Sequence, residues 1–308
     1  MLKLNTLSGF GSGVAGAAAG TQGTYGYFMG GKDGGSYPTT GDRVTFSTSV
    51  LAAHTDANSV GLEGPGRCSD VTNGVGYFMG GHAGGATSAA WKITYSSGVA
   101  ATHTDADLTT AKSNLDGMSD GTDYGYITGH NLAAVHRITF SSGTEALNTD
   151  SDVSSARYDP NGTSDGGAVG FGYWVGGFSS TVGERTTFST SLNAAHTDAN
   201  AAAARSAGAS ATDMVTYGYV AGGGSTDRMT FSTSVNAAHT DSDLSETSTS
   251  FAGMGDGAIF GYFGGVGSGT TVKTDRMTFA TGASAAHTDA NLSAKRNGLP
   301  ALSDGAAT

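Results

Sequence analysis

Short runs that alternate aromatic or branched residues with small ones recur along this chain, and most close on a glycine pair. The clearest set is Tyr25–Met29, Gly76–Met79, Tyr124–Thr128, Phe171–Val175, Tyr217–Ala221 and Phe260–Phe263. This pattern fits half-buried strands. Gly30/Gly31 ends the first run, and Gly129-His130 replaces the pair in the third. Glycines that stop a strand permit positive φ or close backbone approach. A second set carries Arg43–Phe46 and its equivalents, and a third runs through Ala52–Thr55. A fourth, preceding the aromatic runs, centres on Leu115–Asp120, Phe251–Asp256 and Leu299–Asp304.

Four strands therefore form one unit, written six times. The Thr-aromatic pairs start at Thr45, Thr94, Thr139, Thr187, Thr230 and Thr278, spaced 43 to 49 residues apart. Strand-rich periods of this length predict a propeller. Tight turns impose antiparallel pairing. The expected fold is all-β: a six-bladed propeller of four-stranded antiparallel blades over residues 21–308, with repeats beginning near 25, 76, 124, 171, 217 and 260. A β-solenoid is the rival architecture, but the variable unit length is easier to place in blade loops. Leu299–Asp304 is a seventh copy of the first strand with no aromatic run after it, so it is expected to complete the first blade and clasp the ends. The Gly13–Gly20 stretch aligns loosely with the same strand. If the C-terminal strand closes the ring, residues 1–20 become an arm or docking segment.

Composition narrows function mainly by exclusion. Net charge is −11 and there is no Lys/Arg stripe, so nucleic-acid binding is not expected. No apolar run is long enough to span a bilayer. The N-terminus is too Gly/Ala-rich for a secretory signal. Cys68 is the single cysteine, which fits folding in a reducing cytoplasm.

Gly26–Gly31, repeated at Gly76–Gly81, and the following Asp42–Phe46 resemble the kelch repeat, whose hydrophobic strand ends in Gly-Gly before a short aromatic-bearing strand. The usual kelch Trp is missing; His-Thr-Asp sits near its place. The combination of Tyr-Gly-Tyr-Phe-x-Gly-Gly, Asp-Arg-x-Thr-Phe-Ser-Thr and Ser-Asp-Gly also looks like Gly-rich repeat proteins of tailed bacteriophages, notably cyanophages. That resemblance implies a non-enzymatic virion component of a tail, fibre or capsid surface. It would assemble in the host cytoplasm into a larger symmetric particle and contact other virion proteins or a host-surface glycan. A bacterial extracellular carbohydrate-binding adhesin of kelch type is the alternative.

Three repeated features are candidates for chemistry. His54, His103, His196, His239 and His287 share a position that Asn148 fills in the third unit. A duplicated site that tolerates losing one His reads as scaffold, with a His–Asp hydrogen bond or turn cap expected in each blade. Oxygen ligands two residues apart, as in Asp105/Asp107, Asp150/Asp152 and Asp241/Asp243, are what Ca²⁺ uses. The EF-hand continuation is missing and turns use the same residues, so no cofactor is expected and calcium is the one these pairs leave open. Asp42-Arg43, Glu184-Arg185, Asp227-Arg228 and Asp275-Arg276 recur on the third strand. Their arginines are expected to cross-link blades through a neighbouring carboxylate or carbonyl. Catalytic motifs are absent, and Cys68 in the irregular segment Gly61–Asp70 has no copper-oxidase constellation beside it. The loops after the aromatic runs vary most, which makes Tyr37, Trp91, His130, Asn131 and Phe178 the candidate binding residues.

Overall fold

The computed structural model describes residues 22–57, 61–167, 170–205, 208–247, 250–267 and 270–306. They form six four-stranded antiparallel sheets. In chain order the inner strands of the second to sixth blades are Gly66–Asp70, Leu115–Ser119, Asn161–Ser164, Ala209–Thr212 and Ala252–Gly255. Ala301–Ser303 supplies the inner strand of the first blade by pairing with Tyr25–Met29, so Leu302 faces Tyr27. The ring is closed by the C-terminal strand, as its seventh copy predicts. The proposed arm at residues 1–20 lies outside the described residues.

The inner strands contact one another in order around the axis. Hydroxyls tie them together: Ser119 donates to Ser69 O at 2.7 Å, Ser164 to Ser119 O at 2.8 Å, Thr212 to Ser164 O at 3.0 Å, and Ser303 to Gly255 O at 2.7 Å. Such bonds give carbonyls of one inner strand a partner from the next. Cys68 lies in the regular inner strand Gly66–Asp70 and is fully buried. This corrects the expectation of an irregular segment there. Burial pushes its thiol up, well above the ordinary value.

Between blades the packing repeats. The second tyrosine of each Tyr-Gly-Tyr run, or its counterpart, stacks on the Thr-aromatic ring of the next blade. The pairs are Tyr27–Tyr95, Tyr77–Phe140, Tyr126–Phe188, Tyr173–Phe231, Tyr219–Phe279 and, across the closure, Tyr262–Phe46, with centroids 5.6–6.1 Å apart. Offset stacks of buried rings contribute about 0.5–1.5 kcal/mol each beyond area burial. The glycine between the aromatics makes room for them. A Cβ on Gly26 would lie 2.5 Å from Met254 Sδ and 2.8 Å from Phe46 Cζ.

Candidate functional site

The axis opens at two dissimilar mouths. One is a funnel of about 1030 Å³, walled by the turns that join inner to second strands and by the Thr94–Ser96 segment. Each of those turns is capped by the acid that ends or follows the inner strand. Asp120 Oδ1 accepts the amides of Thr122, Asp123 and Tyr124 at 2.8–3.0 Å. Asp213 and Asp256 do the same in their blades, and Asp304 Oδ1 takes Thr24 and Tyr25 across the closure. Burial raises Asp213 and Asp304 above the ordinary carboxylate value, against the lowering effect of those amides. The Ser-Asp-Gly signature is thus turn chemistry.

The opposite mouth is a cavity of about 60 Å³ lined by the connections between blades. Arg67 and Asp116 pair there at 3.3 Å, both buried. Arg67 occupies the place held by Gly117, Gly162, Ser210, Gly253 and Ala301 in the other inner strands. Its side chain therefore lies where the other blades present almost none. Burial raises the Asp116 carboxyl above its ordinary value, although Arg67 and backbone amides oppose the shift.

The repeated histidines lie at the joints between blades. Each described His-Thr-Asp follows the outer strand and enters a 3-10 turn, so His and Asp do not lie two apart on one strand face. The expected His–Asp bond is corrected: His103 Nε2 meets Gly143 O of the next blade at 3.0 Å, and His287 Nε2 meets Ser49 O at 3.1 Å. His54 packs against Gly98, whose φ of 71° and missing side chain leave room for the ring.

The acidic pairs divide their work. Asp107, Asp152 and Asp243 accept the amides of Ala90, Val135 and Thr226, which open or lead into third strands, at 2.7–3.0 Å. Asn200 and Asn291 do so equally well, because the bond needs only an acceptor oxygen. Asp105, Asp150 and Asp241 are exposed in the 3-10 turns. Among the described residues no three His, Cys, Asp or Glu side chains gather as a metal site.

The Asp-Arg pairs also separate. Arg43, Arg137, Arg185, Arg228 and Arg276 lie over the ring that opens the second strand of their own blade, 4.3–4.6 Å from its centre. Cross-blade contact runs to hydroxyls rather than to the expected carboxylates or carbonyls: Arg137 donates to Ser191 Oγ and Arg276 to Ser49 Oγ, both at 3.1 Å. The acidic partner is held by an arginine that sequence reasoning missed. Arg157, Arg205 and Arg296, each nine positions after the His/Asn site, pair with Glu184, Asp227 and Asp42 of the following blade. Their recurrence at +9 was the available signal.

The loop candidates do not share one cavity. Tyr37 donates to or accepts from His82 Nδ1 at 2.7 Å, joining neighbouring loops. His130 and Asn131 adopt positive φ at a tight turn, and His130 contacts Ser113. Phe178 is 58% exposed. Trp91 is a correction: it lies within the strand Ala90–Thr94, buried and stacked on Phe78. These loops bridge to the blade connections, as in Leu132 with Arg157 and Glu63 with His82. They therefore lie on the face opposite the funnel. No protein-family model matches the chain, and no curated protein matches it significantly.

Proposed function

We propose that this propeller is a non-enzymatic binding module of a phage virion, in a tail, fibre or capsid-surface position. In this reading it contacts a host surface or a neighbouring virion protein through its loops. The observation that carries the binding role is that many of the repeated reactive side chains are engaged by the scaffold. His103 and His287 meet carbonyls, Asp107 and its counterparts take backbone amides, and the arginines hold rings, hydroxyls and acids. What varies from blade to blade is the loop set, on a ring whose joints are stacked and bonded. Loops on such a scaffold are the usual carriers of recognition. The virion placement rests on the likeness of the repeat to phage Gly-rich repeats.

The test uses particles whose genome encodes the chain. An antibody to the purified protein is expected to label them, and the purified protein is expected to slow their adsorption to host cells. Unlabelled particles would remove the virion placement. Unchanged adsorption by labelled particles would leave contact with a neighbouring virion protein as the role.

A further inference from the structure

We propose that the wide axial funnel is a binding site for a neutral saccharide, separate from the variable loops on the other face. Its volume of about 1030 Å³ lies at the upper end of the roughly 300–1,000 Å³ range of ligand pockets. A short oligosaccharide fits such a space better than a single sugar.

The chemistry of the wall selects the class. Among the described residues lining the funnel there is no Lys, Arg or His. An anionic ligand would leave water for a wall with no positive side chain, on a chain of net charge −11. Phosphates, sulfated glycans and uronic acids are thereby disfavoured. The two carboxylates in the wall do not offer their charge freely either. Asp304 Oδ1 accepts two backbone amides, and Asp165 Oδ1 accepts those of Gly167, Gly170 and Phe171.

What faces the space is neutral. Thr94 and Ser96 present hydroxyls, Thr72 and Asn73 donate to Gly121 O and Asp70 Oδ2 and leave acceptor oxygens, and Val71 and Val215 add apolar surface. Glycines at 74, 166 and 167 leave main chain accessible between them, while Gly257 and Gly305 are buried where their turns pack together. A sugar ring matches this mixture, with hydroxyls for the amide, hydroxyl and backbone groups and C–H faces for the valines. The opposite mouth, with Arg67 and Asp116 and about 60 Å³, has neither the room nor the neutrality.

This inference goes beyond the virion reading, and binding by the purified full chain is measured wherever the chain sits in a particle. The experiment is an amide-shift titration with neutral gluco-, manno- and galacto-configured trisaccharides, and with trigalacturonate as the acidic probe. At least one neutral trisaccharide is expected to move the amides of Asn73, Gly74 and Val215. Trigalacturonate should bind about tenfold more weakly or worse. Val215→Trp, which puts an indole into the funnel, should weaken binding about tenfold, and Asn73→Ala severalfold. Leu147→Ala, at the exposed end of an outer strand, should change nothing. If Val215→Trp misfolds by thermal melt, Asn73→Ala alone carries the comparison. The proposal is overturned if no neutral trisaccharide shifts the funnel amides at about 10 mM, if trigalacturonate binds as tightly, or if Asn73→Ala binds like wild type.

Discussion

Three of the six blade joints are built one way and three another. Where the sixth blade meets the first, the third the fourth and the fourth the fifth, an arginine from the connection is buried against an acid of the next blade. At the other end of those same joints a serine takes both a tyrosine hydroxyl and an arginine. Ser49 holds Tyr262 and Arg276, Ser191 holds Tyr126 and Arg137, and Ser234 holds Tyr173 and Arg185. The other three joints have Gly98, Gly143 or Gly282 where the serine would be. There Tyr27 and Tyr219 donate to main-chain oxygens of Tyr95 and Phe279 instead. One of these joints replaces the ion pair with a buried chain, Lys112–His136–Glu145. A proton on His136 Nδ1 lets Lys112 donate to Nε2 and His136 donate to Glu145. The stacked rings are common to all six. The polar part is interchangeable as long as each buried group finds a partner.

The largest expected effect comes from breaking one ion pair on one side only. Arg205 and Asp227 are buried, and Asp227 also accepts the Ala202 amide and Asn236 Nδ2. Asp227→Ala leaves a buried guanidinium without its counter-charge and should cost about 3–5 kcal/mol, read as a lower urea midpoint. Replacing both partners, as Arg205→Met with Asp227→Leu, should recover most of that loss. If the double variant is as unstable as the single one, the pair does more than compensate its own desolvation.

The serine end should give less. Ser234→Ala removes the partner of the Tyr173 hydroxyl and of Arg185 and keeps a Cβ at a φ of 56°. About 1–2 kcal/mol is expected. Ser234→Gly should be milder, because glycine adopts that φ freely and three joints already use it. An equal loss for both would show that the hydroxyl, not the backbone, decides the position.

The distribution of these joints explains what was legible in the sequence. The period, the strand count and the closing strand are properties of one unit compared with the next, so Leu299–Asp304 is recognisable as a copy of Leu115–Asp120. The joints lie between units. Tyr27 stacks on Tyr95, which no pattern inside either unit announces. Asp42 stands next to Arg43 in the chain, yet its partner is Arg296 near the other end of it. Trp91 reads as loop variation because it stands where other blades have the acid; the position is buried, so an apolar ring serves there once no arginine arrives. The funnel lies outside the variable loops, in turns whose Gly, Thr and Asp look like ordinary turn residues.

The smallest effect is the sharpest test of interchangeability. Lys112→Arg, His136→Asp and Glu145→Asn together convert the odd joint to the arrangement of Arg205, Asp227 and Asn236. At pH 7 stability should change by no more than about 1 kcal/mol, since one compensated network replaces another. The difference should emerge in alkali. Burial pushes Tyr27, Tyr77 and Tyr219 up to about 12. Each keeps its proton in the folded state after the unfolded chain has lost it. Their contribution is complete below pH 10 and is lost as pH rises through about 12, in wild type and variant alike. Lys112 acts in the opposite sense. Burial lowers it from 10.5, so the unfolded chain holds that proton more tightly and stability rises with pH in the interval below 10.5. Arginine stays charged there and gives no such gain. The variant should therefore lose stability more steeply than wild type as pH approaches 10.5. Parallel curves would mean that Lys112 is as well solvated by its partners in the folded joint as it is in water.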